Sequence, residues 1–294
     1  MQRKKKNQMA LTDTASSPKF EPQNNAYAFG ARRFGAVNWL GLWTLYVKEV
    51  RRFIKVVFQT VVAPVISTLL FLIVFTQALG GVRPDVNGVP FIAFLAPGLI
   101  MMAVLTNAFT NSSSSLIIAK VQGSIVDVLM PPLSAAELTV AIVAGAATRG
   151  LMVGAITAAT CAVYMALFGI PMGVSNFWAI LYFSASAAVI FGAIGAIGGI
   201  WADKFDQMAA ITNFVITPLT FLSGTFYSVA NLPEPFLTIS HYNPVYYLID
   251  GFRSGFTGVA EAPIWIGVSS TLVLALGFTI ACYLLIRSGY KLKD

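Results

Sequence analysis

Long apolar runs separated by short polar breaks set the rhythm of this chain. Runs of roughly the 20 residues that a helix needs to cross a hydrocarbon layer fall at residues 56–79, 91–119, 138–168, 177–201, 208–227 and 264–286. They predict six membrane-spanning helices, the second and third long enough to tilt or to project beyond the bilayer. Ahead of the first run, Trp39, Leu42, Trp43, Tyr46, Val50, Phe53 and Ile54 recur at helical spacing, with Glu49, Arg51, Arg52 and Lys55 on other faces. This predicts an amphipathic helix over residues 34–55 lying in the membrane interface, its Trp and Tyr at headgroup depth and its cations toward anionic lipid.

Two of the polar breaks are unlike simple reversals. Between the second and third runs, residues 120–137 carry an apolar patch (Ile125, Val126, Val128, Leu129, Met130) around Asp127, then the stop Pro131-Pro132. Ser134-x-x-Glu137 follows and reads as a capping box opening the next helix. A hairpin that only turned the chain would need no apolar knob, so the knob suggests a surface that something grips. Residues 228–263 are too rich in Pro and polar groups to span, yet too aromatic to stand free in water. Asn243-Pro244 is a good helix start. It predicts a short helix over residues 245–253 dipping into the outer leaflet edge, anchored by Tyr246, Tyr247 and Phe252.

Composition agrees. Of 294 residues, 57% are hydrophobic and only 11% charged, with a mean hydropathy of +0.75, too little charge to cover a soluble globule of this size. The fold class is therefore an all-α membrane protein. Residues 1–33 are polar and basic and read as a cytosolic tail. Lysines and arginines concentrate before the first span and after the last, which places both termini in the cytoplasm and agrees with an even number of spans. The net charge of +7 then reports topology and contact with anionic lipid rather than nucleic acid. Cys161 and Cys282 are expected at opposite depths as small packing residues.

The chemistry within the runs is sparse. None contains Asp or Glu, which argues against a proton- or sodium-coupled secondary transporter. Arg149 lies deep in the third run, at a cost of about 2.5–3.5 kcal/mol on insertion scales. Two readings are open for it, an anionic headgroup or gate contact and a structural one with neighbouring carbonyls and hydroxyls. Asn107, Thr110, Asn111 and Ser114 share one face of the second run by three- and four-residue steps, as a substrate path or as interhelical glue. Small-residue faces at Ala146/Gly150/Gly154 and Gly192/Gly195/Gly199 suit close helix packing, within one subunit or between two. His241 is the sole histidine, leaving no metal cluster or triad, and Asp250 with Arg253 is spaced for an i, i+3 ion pair. No phosphate loop of the form GxxxxGK[ST] occurs, so the chain carries no ATP site of that kind.

The order of these parts, together with the DVLMPPLS and YNPVYYLIDGFR segments, resembles the ABC-2-type exporter permeases over roughly residues 35–290, nearest to bacterial multidrug, nodulation-factor and polysaccharide exporter permeases. The resemblance implies a six-span domain over residues 56–294, outer re-entrant helices between spans five and six, and a non-catalytic subunit that dimerises in the bacterial inner membrane. It also implies two separate ATPase subunits that bind ATP-Mg, the chain itself holding no cofactor. The family's coupling helix falls on Gly123, Ile125, Val126, Asp127, Val128, Leu129, Met130, Pro131, Pro132 and Leu133. Its connecting helix falls on residues 34–55, with Trp39, Trp43, Tyr46, Arg51 and Arg52, and its re-entrant helices on residues 228–258, with His241, Asn243, Pro244, Asp250 and Arg253. A secondary transporter or channel acting without an ATPase is the alternative, and a membrane enzyme acting on lipid lacks a nucleophile and base.

Overall fold

A computed structural model describes residues 37–79, 85, 86, 88–170 and 172–292; the basic tail, the start of the expected interfacial helix and Arg83 lie outside them. Among the described residues every named element is helical. Helix α1 (Trp39–Ile54) turns through Lys55–Val57 into a π-helical turn, Phe58–Val62, that feeds α2 (Ala63–Leu79). The Thr60 hydroxyl donates to the carbonyls of Phe53 and Val56, at 3.1 Å each, tying the bend together. Then come α3 (Phe91–Val121), the five-residue α4 (Ile125–Leu129), α5 (Ala135–Leu167) and α6 (Phe177–Trp201).

Among the described residues, five helices are long and apolar enough to cross a membrane: Phe58–Ala78, Phe91–Val121, Ala135–Leu167, Phe177–Trp201 and Ile264–Ser288. The expected fifth span over residues 208–227 is shorter. It runs as α7 (Phe205–Ile211), a π-helical turn (Thr212–Ile216) and α8 (Thr217–Phe221), about 25 Å in all at 1.5 Å per residue. Its end has a local cause. Gly224 takes φ +74°, a left-handed conformation that only glycine adopts cheaply, and the Thr225 hydroxyl bonds back to the Thr220 carbonyl at 2.7 Å.

Helix α3 is the axis of the bundle, packed against α5 and α6. Small residues let them close. A side-chain carbon on Gly150 of α5 would stand 2.9 Å from the Val104 carbonyl, and one on Gly199 of α6 would stand 3.0 Å from the Ser113 carbonyl. Gly192 faces Ala146. Both small-residue faces thus join helices within one chain. Cys161 and Cys282 are buried and free, in separate apolar clusters.

Beyond α8 lie a 3-10 turn (Val229–Asn231), α9 (Phe236–Tyr242), α10 (Pro244–Thr257) and α11 (Ile264–Ser288). Helix α10 runs four residues past its expected end, to a left-handed Gly258 cap. Two of the three expected anchors turn inward instead: Tyr246 and Phe252 are buried within the protein, whereas Tyr247 is half-buried. The reason is on the same helix, where Gly251 and Gly255 admit Phe183 and Ile180 of α6 and draw α10 into the bundle. Helices α4 and α10 stand at opposite ends of α3, which spans about 46 Å at 1.5 Å per residue.

Candidate functional site

The α4 hairpin begins at Gly123, whose φ of +70° makes the reversal after α3 possible without strain. No residue of α4 is fully buried. Its apolar side chains divide by face. Ile125, Val128, Leu129 and the following Leu133 pack back onto the cluster formed by α1, α3, α5, α6 and the end of the chain's last helix, α11. Val126 and Met130 point away, 53% and 75% exposed, beside exposed Asp127, Pro131 and Pro132.

The hairpin is fastened where it meets α1 and α5. Ser134 caps α5 in the capping box read from the sequence, with its backbone N–H donating to Glu137 Oε2 at 2.6 Å. Glu137 does a second job. Its Oε1 accepts from the backbone N–H of Asn38 at 2.5 Å, while Asn38 Nδ2 donates to the Pro132 carbonyl at 3.2 Å. The Asn38 side chain also caps α1, accepting from Gly41 at 3.0 Å. One carboxylate therefore ties together the start of α1, the end of the hairpin and the start of α5.

Nearby, Asp203 in the turn after α6 sits between two lysines, Lys291 at 2.7 Å and Lys120 at 3.3 Å. The same ammonium groups donate to the terminal carbonyls of α6, Lys120 to Ile200 and Ala202, and Lys291 to Trp201. The hydrogen bond from Lys291 holds the Asp203 carboxyl below its ordinary range, and Asp203 in turn raises the Lys291 ammonium.

Helix α1 differs from expectation on one face. Trp39 and Trp43 are exposed, as an interfacial helix requires, Arg51 is exposed, and the Tyr46 hydroxyl meets that of Thr148 at 3.0 Å. Glu49, however, lies on the buried face and is only 2% exposed. It packs over Gly145 of α5 and takes hydrogen bonds from Ser115 at 2.8 Å and from Arg52. Arg52 extends on to α3, donating to Ser114 Oγ at 3.1 Å and to Asn111 Oδ1 at 3.0 Å. One turn along α3, Asn107 Oδ1 accepts from Arg149 Nη2 at 3.2 Å. Three members of the polar stripe thus bind guanidinium groups of α1 and α5, and Thr110 is exposed. Sequence reasoning missed Glu49, because an acidic residue on an amphipathic helix is normally its wettest point.

At the other end, Asn243 caps α10 by accepting from Val245 at 3.1 Å and donates to Ser223 Oγ at 2.7 Å. Pro244 is the first helical residue. His241 is exposed and edge-on to Tyr246, with ring centroids 5.5 Å apart. Asp250 and Arg253 do not form the expected ion pair. Asp250 accepts from the backbone N–H groups of Glu261 and Ala262 at 3.0 Å each. Arg253 donates to the Phe94 and Gly224 carbonyls at 3.1 and 2.7 Å and lies 3.7 Å over the Phe94 ring. Buried backbone groups need partners, and here the two charged side chains supply them.

The sequence matches the family model for the ABC-2 type transporter over residues 41–257. It is 36% identical to the inner membrane transport permease YadH of Escherichia coli K12, covering 87% of this chain and 98% of that protein. Nodulation protein J of Rhizobium leguminosarum bv. viciae is 26% identical over 86% of this chain and 95% of its own length. The helical membrane fold and a match across both α4 and α10 place this chain in the ABC-2 type transporter family, as a membrane transport permease.

Proposed function

We propose that the protein is the permease half of an ATP-driven exporter of a bacterial inner membrane, acting as a homodimer with two separate ATPase subunits that bind ATP-Mg. The carrying observation is the outward pair Val126 and Met130, exposed on a helix whose other face is anchored in the core. Burying one such side chain in a partner contributes about 1.5–3 kcal/mol. Because Glu137 ties the hairpin to α1 and α5, a displacement at the docking surface passes to the spans without first deforming a loop. An ATPase pair that changes shape on binding ATP biases the permease between two states only through contacts that differ between them, and the α4 hairpin provides such contacts. The Lys and Arg bias supports a cytosolic position for this end and for both termini, with α10 as a re-entrant element on the outer side. The exposed apolar faces of α2, with Leu70 and Val74, and of the α7–α8 run, with Phe214 and Val215, are available to lipid and to the second copy. Co-purification of the tagged permease with a phosphate-loop ATPase, followed by ATPase assay of the complex in proteoliposomes, tests the proposal. Met130→Asp should abolish permease-dependent stimulation while membrane insertion is unchanged; full stimulation in that variant refutes docking at α4.

A further inference from the structure

The α4 hairpin has two roots, and they are held by different partners. At the outgoing root Glu137 binds backbone groups next to α1 and α5. The incoming root is Lys120, in the last turn of α3 and just ahead of Gly123, where the chain reverses. Its side chain is only 12% exposed. The ammonium donates to the Ile200 and Ala202 carbonyls at 2.8 and 2.6 Å and to Asp203 Oδ1 at 3.3 Å. These acceptors cluster at the C-terminal end of α6, where carbonyls lack helical partners and the helix dipole is negative. Asp203 extends the connection in two directions. Its Oδ2 accepts from Lys291 Nζ at 2.7 Å, and Lys291 also donates to the Trp201 carbonyl at 2.9 Å. Lys291 follows α11 and holds φ +54°, a left-handed conformation that a residue with a side chain keeps only where its surroundings compensate. The Asp203 backbone N–H donates to Gln207 Oε1 at 2.8 Å, within α7.

We infer that Lys120 and Asp203, braced by Lys291, are positioning residues for ATPase coupling: they join the incoming root of α4 to the start of α7, so that a displacement of the hairpin reaches the α7–α8 run without passing through Glu137. The inference rests on α4 as the docking surface. An exposed ion pair alone would fix little, but the pose of Lys120 is set by three oxygens at once. Capping α6 would need one cation; two, brought from α3 and from beyond α11 onto one carboxylate, make a junction. Past Gln207 the run enters the π-helical turn Thr212–Ile216, an irregularity that in helices is frequent at functional sites. Phe214 and Val215 of that turn are exposed, so the segment receiving the displacement is held by few neighbours on that side.

Hydrogen exchange on the full-length permease in nanodiscs, bound to the phosphate-loop ATPase with and without a non-hydrolysable ATP analogue, tests this. In the wild type the analogue should change exchange both at residues 123–133 and at residues 205–216. Asp203→Asn should bind the ATPase within about two-fold of the wild-type affinity and still respond at residues 123–133. Its response at residues 205–216, and its stimulation of the ATPase, should fall by at least about five-fold. Lys120→Met should behave alike, and Asp203→Glu should restore both readouts, which a general loss of stability would not predict. An unchanged response at residues 205–216 in Asp203→Asn overturns the relay, as does a loss of ATPase affinity large enough to account for the lost stimulation. Met130→Asp separates this inference from the docking reading beneath it. If that variant loses the ATPase, docking at α4 stands and Asp203→Asn alone decides the relay. If it binds and stimulates normally, docking at α4 has failed and the relay falls with it.

Discussion

The α4 hairpin and the α10 helix are both short amphipathic segments set between apolar runs, and the protein treats them in opposite ways. Helix α10 is drawn inside: Val245, Tyr246, Leu248, Ile249 and Phe252 are buried, and its charged residues serve backbone groups of neighbouring segments. The α4 hairpin leaves Val126 and Met130 outside, and its fastening lies at its end, on Asn38 and Glu137. A segment whose polar groups are consumed by the fold is a structural part. A segment that is held firmly at its root and still exposes apolar side chains keeps a surface free for a partner.

The largest effect on the fold should come from Arg253→Met. The substitution removes two charge-assisted bonds to carbonyls and the contact over Phe94, each charged bond contributing about 1.5–3 kcal/mol. A loss of about 3–5 kcal/mol should appear as a large fall in detergent melting temperature, with α10 becoming open to protease. A near-normal melting temperature would erase the distinction between the two segments, because α10 would then need no internal fastening.

Glu137→Gln attacks the root of α4. The amide keeps one acceptor oxygen but turns an N–H₂ group toward N–H donors of Asn38 or Ser134, at a cost of about 2 kcal/mol. The cost should register first around α1 and residues 130–137, as faster amide hydrogen exchange there than in α10. Uniform loss of protection across the chain would show that Glu137 is simply part of the core.

A smaller and pH-dependent effect is expected at Asp203. Its carboxyl is held below the ordinary value by Lys291 and then Lys120, so its contribution is present above about pH 4 and is lost as pH falls through the lowered value. The Lys291 ammonium is raised by the same bond, so its share is present below about pH 10.4 and is lost as pH rises through the raised value. The melting-temperature difference between wild type and Asp203→Asn should therefore be flat across neutral pH and shrink at both extremes. A difference that changed between pH 6 and 8 would mean that other groups titrate at this clamp.

Much of this was legible in the sequence, and the exceptions share one physical origin. The spans of α3, α5, α6 and α11 show as apolar runs because a bilayer demands some 20 consecutive apolar residues, and the caps at Ser134 and Asn243 show because capping is a local pattern. Glu49 turning inward, Asn38 reaching Glu137 and Arg253 reaching Phe94 are contacts between residues far apart in the chain, the last pair separated by 159 positions. No window of sequence carries such a pairing. The Asp250–Arg253 spacing misled for the same reason, since local spacing offers an ion pair whereas the tertiary surroundings offer buried backbone groups with a stronger claim on each charge.

The smallest effect on the fold, and the sharpest test of the comparison, lies within α4 itself. Val126 and Met130 face out, whereas Val128, two residues from each, packs partly against the core. Val126→Asp should change stability by no more than about 0.5 kcal/mol, as exposed substitutions usually do, whereas Val128→Asp places a carboxylate against apolar neighbours and should cost about 1–3 kcal/mol. Function should rank them differently. If the outward face docks the ATPase, Val126→Asp should weaken its binding by roughly ten-fold or more, the equivalent of at least about 1.4 kcal/mol, in a permease that melts normally. Titrating purified ATPase onto nanodisc-held permease measures the affinity, and a melting curve on the same sample measures the fold. Weakening that scaled with the loss of stability in both variants would make α4 a structural segment like α10, with the docking surface elsewhere.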